Sequence, residues 1–79
     1  MDERAGRLRW RCRRGMKELD ALLTRYLDGP MASADSVEWD RFESLLACED
    51  DQLWDWLSGR LRPTDRVLGE LVDRIRLAA

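Results

Sequence analysis

The stretch Met16-Lys17-Glu18-Leu19-Asp20-Ala21-Leu22-Leu23-Thr24-Arg25-Tyr26-Leu27 decides the fold class. Met16, Leu19, Leu22, Leu23, Tyr26 and Leu27 recur at i, i+3, i+6, i+7, i+10 and i+11. This is the spacing of an amphipathic helix whose apolar stripe other elements must cover. Gly15 breaks the chain before it, and Asp28-Gly29-Pro30 ends it, the glycine read as a left-handed cap and the proline as unable to continue a helix. Working outward, nothing competes with helices. Period-two alternation of β-branched residues is missing, and the 79 residues contain only three valines and one isoleucine.

Upstream, a helix over residues 3 to 13 follows Asp2 as its cap and places Ala5, Leu8 and Cys12 on one face, with Arg4, Arg7, Arg11 and Arg14 on another. Downstream, Asp35-Ser36-Val37-Glu38 is a variant of the capping box and opens a third helix to Ala47 that buries Phe42, Leu45 and Leu46, with Trp39 near the edge of the stripe. The acidic run Glu49-Asp50-Asp51 fits the first turn of a fourth helix, because carboxylates there meet free N–H groups and the positive end of the helix dipole. Leu53, Trp54 and Leu57 face inward, Trp56 is left open, and Gly59 closes the helix. Pro63-Thr64-Asp65 starts a fifth, with Val67, Leu68, Leu71, Val72 and Ile75 as its stripe. The expected fold is all-α, a compact bundle of five short helices in one domain over residues 1 to 79.

Composition bounds what such a bundle can do. With 44% hydrophobic and 38% charged residues and two prolines, the chain folds rather than forming a disordered tail. Domains of this size bury only about 60% of their unfolded surface and reach roughly 3 to 5 kcal/mol of stability. Little is left for a deep, water-excluding catalytic pocket. The longest apolar run, Leu45-Leu46-Ala47-Cys48, is far too short to span a membrane. The charged start Met1-Asp2-Glu3-Arg4 lacks the apolar segment of a signal peptide, so the chain is expected to be mature from its first residue and cytoplasmic. Cys12 and Cys48 are expected to be free, partly buried thiols, since small disulfide-held domains usually carry four or more cysteines.

The net charge of −2 hides an asymmetry. Residues 1 to 14 carry six arginines against Asp2 and Glu3, a net of +4, and the remainder carries −6. Such a pole steers an anionic partner: nucleic acid, lipid head groups or an acidic protein surface.

Catalysis by this chain alone is disfavoured. It has no histidine, hence neither the commonest general base nor the commonest zinc ligand. It has no CxxC, no GxGxxG and no Walker A sequence. The carboxylates Glu49, Asp50, Asp51 and Asp55 lack the spacing of a calcium loop and read better as helix caps.

One segment is not bland. Trp10-Arg11-Cys12-Arg13-Arg14-Gly15-Met16-Lys17-Glu18-Leu19-Asp20 gathers positive charge, a large aromatic, a glycine and two carboxylates at a helix junction. In a structural reading Gly15 turns the chain, Trp10 packs on the bundle, and Glu18 and Asp20 decorate the first turn of the second helix. In a functional reading Gly15 lets a partner backbone approach closely, while Arg14 and Glu18 offer a bidentate donor and an acceptor. Both readings can hold together.

The same segment resembles the signature of the SdhE-like family, the flavinylation factors of succinate dehydrogenase, whose hallmark Arg-Gly-x-x-Glu is met by Arg14, Gly15 and Glu18. The stretch Phe42 to Cys48, the acidic Glu49-Asp50-Asp51, Leu53-Trp54-Asp55-Trp56-Leu57 and Arg62-Pro63 are similar to its second block, so the resemblance covers most of residues 7 to 75. Leu61 stands where relatives often have glycine, and Cys48-Glu49-Asp50-Asp51 replaces Cys-Asp-Asp-Pro, changes in a loop and a cap.

The resemblance implies a five-helix assembly factor, not an enzyme, that binds the flavoprotein subunit of succinate dehydrogenase, and of fumarate reductase where one exists. It implies that FAD becomes covalently attached to a histidine of that partner, by chemistry within the flavoprotein, while this chain holds no cofactor stably. The implied partner-binding residues are Arg14, Gly15 and Glu18, extended by Arg7, Trp10, Arg11, Arg13, Met16 and Asp20. A monomer is expected, with no membrane insertion and no nucleic acid. Two rivals differ in partner: nucleic acid on the arginine face, which the −6 body opposes, and a toxin, because the family has also carried an antitoxin label.

Overall fold

Five α-helices and one 3-10 turn follow in order in the computed structural model, which describes residues 3–78. They are α1 Glu3–Arg11, α2 Lys17–Asp28, the turn Pro30–Ser33, α3 Ser36–Leu46, α4 Asp50–Leu57 and α5 Arg66–Ala78. Among the described residues there is no strand, and no helix is long and apolar enough to cross a membrane. The all-α expectation holds. The expected cap Asp2 lies outside the described residues.

Helices of 8 to 13 residues are marginal in isolation, so packing decides whether they form. α5 lies against α2, α3 and α4, and α1 lies across α2 and α3. One apolar cluster joins Leu8 and Cys12 of the α1 end to Leu19, Leu23, Tyr26 and Leu27 of α2. Phe42, Leu45 and Leu46 of α3, Leu53 and Leu57 of α4, and Leu71, Val72 and Ile75 of α5 complete it with Met31. Each large aliphatic side chain taken out of water contributes about 1.5–3 kcal/mol, against a few tenths for helix propensity. The period of these residues therefore outweighs their local preferences. The Tyr26 and Phe42 rings meet at 5.9 Å between centroids, tilted by 37°. Trp39, Trp54 and Trp56 are half-buried against the cluster, which places Trp39 at the edge of the core and settles the open position of Trp56.

Several local expectations are corrected. Helix α1 ends at Arg11 rather than 13, and Cys12 and Arg13 close its last turn through their N–H groups. Gly29 is not left-handed: its φ is −101°, because Pro30 winds the chain straight into the 3-10 turn. Asp35 caps α3 by accepting from Glu38 N at 2.9 Å, but Glu38 does not reciprocate, since Arg41 and Arg74 hold its carboxylate. The α4 N-cap residue Glu49 makes no side-chain cap, and Asp50 is engaged by Arg14 instead. Helix α5 begins at Arg66, after Asp65 accepts from Val67 N and Leu68 N. Leu68, Leu71, Val72 and Ile75 fill its seam, and Val67, one position off it, is exposed.

Candidate functional site

The junction between α1 and α2 is a five-residue turn, residues 12 to 16, that contains Gly15. Gly15 is exposed, holds φ +87°, and an added Cβ would meet nothing within 4 Å. The turn demands a residue that tolerates positive φ, and above it lies open space.

Beneath the turn everything is fixed. Arg14 leaves the end of α1 and folds inward, its side chain 15% exposed. Its Nε donates to Asp50 at 2.6 Å, Nη1 to the Leu46 carbonyl at 2.8 Å and the Arg11 carbonyl at 3.1 Å, and Nη2 to the Cys48 carbonyl at 2.7 Å. The Leu46 carbonyl belongs to the last turn of α3 and that of Cys48 lies just beyond it, where orphan carbonyls accept donors and favour a cation. Asp20, one turn into α2, reaches back and accepts from Arg14 N at 2.8 Å and from Gly15 N at 3.3 Å. Arg14 and Asp20 thus clamp the turn from two sides. The expectation that Arg14 offers a fork outward is corrected: every guanidinium nitrogen already has an acceptor within the chain.

Glu18 is different. It is exposed in the first turn of α2 and has no hydrogen-bond or ion-pair partner among the described residues. It rims a shallow cleft with Met16, Lys17 and Trp54 of α4. No local signal in the sequence places Trp54 here, because the two helices meet only in the fold.

The arginines of α1 do not form a free cationic pole. Arg4 lies 2.7 Å from Asp40 and 3.0 Å from Glu43 of α3, and Arg7 and Arg11 approach Glu43 at 3.7 and 3.9 Å. Arg9 pairs with Asp28. The charge asymmetry along the chain is largely answered inside the molecule, basic α1 against acidic α3. Arg13 is the exception, exposed and with no partner for its side chain among the described residues. Trp10 is 71% exposed, so it does not pack on the bundle.

The thiols are not poised for nucleophilic work. Burial pushes Cys12 up to about 11, against smaller opposing effects of Arg9 and Arg14, and burial likewise raises Cys48. Neither is in a disulfide. Among the described residues no group of three or more Cys, Asp and Glu side chains is placed to hold a metal ion.

Residues 6–79 match the family model described as flavinator of succinate dehydrogenase. The chain belongs to this family. Its relatives include three bacterial proteins named FAD assembly factor SdhE. That of Methylococcus capsulatus is 46% identical over 71 residues, covering 90% of this chain and 86% of the relative. That of Xylella fastidiosa is 47% identical over 78 residues, covering 96% and 80%. A third, from Aliivibrio fischeri, is 36% identical over 73 residues, covering 92% and 85%. As a flavinator of succinate dehydrogenase, the chain presents its Arg-Gly-x-x-Glu residues as one clamped arginine, one bare glycine and one free carboxylate.

Proposed function

We propose that this flavinator promotes covalent attachment of FAD to the flavoprotein subunit of succinate dehydrogenase, and of fumarate reductase, by docking through the Gly15 turn and holding a reactive arrangement of its partner. The observation that carries the reading is a bare, left-handed glycine beside an unpartnered carboxylate, on a turn clamped from below. A rigid turn loses little conformational freedom on binding, so its contact energy goes into affinity and orientation. Gly15 admits a partner backbone, Glu18 accepts from a partner donor, and Met16 lies beside them. Arg14 and Asp20 act as positioning residues beneath the turn.

The chain acts without catalysing. It has no histidine, and its thiols are protonated near neutral pH, so the flavin bond forms on the flavoprotein, and FAD stays with the partner. We place it in the cytoplasm as a monomer. The test is in-gel flavin fluorescence of the denatured flavoprotein from cells lacking the gene and complemented with variants. Wild type restores the band. Glu18→Ala, which removes no internal contact, folds normally and fails to restore it. Restoration by Glu18→Ala would overturn the assignment of the site.

A further inference from the structure

We propose that the outward face of α1, formed by Gly6, Arg9, Trp10 and Arg13 beside Thr24 of α2, docks an acidic segment of the flavoprotein as a contact separate from the Gly15 turn. The inference rests on the flavoprotein being the partner. Helix α1 has three faces. Leu8, with Cys12 just past the helix end, points to the core, Arg4, Arg7 and Arg11 meet the acids of α3, and the third faces a shallow groove against α2.

Three features of that groove lack an internal purpose. Trp10 exposes 71% of its surface to water, although an indole gains most from burial. Gly6 stands inside a helix, which it weakens relative to alanine, yet it does not need positive φ and an added Cβ would touch nothing within 4 Å. Close approach by another backbone is the remaining use of a bare position. Arg13 has no ionic or hydrogen-bonded partner for its guanidinium among the described residues.

Charge names the occupant. No acid lines the groove, and Asp28 answers only Arg9. One unanswered guanidinium suits a carboxylate with an apolar neighbour that covers the indole, the aromatic–arginine pairing common at binding hot spots. A run of phosphates would need more free cations than the groove holds, and the body beyond α1 is acidic.

The experiment titrates the purified flavoprotein subunit onto wild type, Gly6→Leu, Trp10→Ala and Arg13→Glu at low and physiological salt, with thermal melts alongside. Gly6→Leu melts above wild type, since leucine favours the helix and the space is open, yet binds about tenfold more weakly. Trp10→Ala weakens binding by about tenfold to a hundredfold, and Arg13→Glu by about tenfold with a reduced salt dependence. Wild-type affinity in any of the three overturns the face as drawn. Absence of binding by wild type overturns the partner itself, and this inference with it. A short RNA retarded by wild type and released by Arg13→Glu overturns the choice of a protein segment.

Discussion

Gly15 and Gly59 share a backbone conformation, with φ of +87° and +86°, and differ in what stands over them. A Cβ on Gly59 would lie 2.6 Å from Arg76 Nη2, so that turn is covered by its own chain. The same atom on Gly15 would meet nothing. Their arginines differ in the same sense. Beside Gly59, Arg60 and Arg62 form exposed pairs with Asp55 and Asp73, whereas Arg14 is drawn under its turn and satisfies helix-end carbonyls. A left-handed glycine alone marks only a reversal of the chain. Bare space above together with rigidity below marks a surface kept for something else.

The largest expected effect separates the two sets of arginines. Arg14→Ala strands Asp50 and the carbonyls of Leu46 and Cys48, at a cost of about 2–3 kcal/mol. For a domain this small that is most of its stability, and urea unfolding of Arg14→Ala beside Arg62→Ala shows it. Equal midpoints for the two would break the comparison. Next come Gly15→Arg and Gly59→Arg, each strained by about 1–2 kcal/mol for a side chain at positive φ, with Gly59→Arg the worse because Arg76 must move. Only Gly15→Arg abolishes the flavin band, and its loss in both variants would reduce Gly15 to a structural turn.

The smallest effect belongs to the Gly59 side alone. A hydrogen bond from Arg62 holds the Asp73 carboxyl below the usual carboxylate range, with Arg76 adding to it. A depressed carboxyl stabilises the fold above its unfolded pKa of about 3.9 and loses that contribution as pH falls through the lower folded value. Thermal midpoints between about pH 5 and pH 2 therefore fall more steeply in wild type than in Asp73→Asn, and salt narrows the gap. Parallel slopes would show that the pair contributes nothing.

Local signals were the legible ones. The stripe of α2, the Asp35 and Asp65 caps, and the break at Gly15 each depend on residues a few positions apart, so periodicity and turn chemistry suffice to read them. Gly15 and Glu18 were legible as a motif. The role of Arg14 was not, because Asp50 and the Leu46 and Cys48 carbonyls lie 32 to 36 positions away and come within reach only when α3 and α4 pack. The basic end of the chain misled for the same reason. Its charges were counted along the sequence, while their partners Asp40 and Glu43 wait 36 and 39 residues downstream of Arg4. Trp10 stood in two readings, packed on the bundle or turned to a partner, and its 71% exposure removes the first.

The bond from Arg14 to Asp50 also sets an order of events during synthesis. The Gly15 turn is made before its clamp can close, since the carboxylate that closes it leaves the ribosome 36 residues after Arg14. Until then α1, at nine residues, is too short to hold its shape alone. A nascent chain therefore displays the motif as sequence before it displays it as a surface, and the turn takes its clamped form only after α4 has begun to emerge.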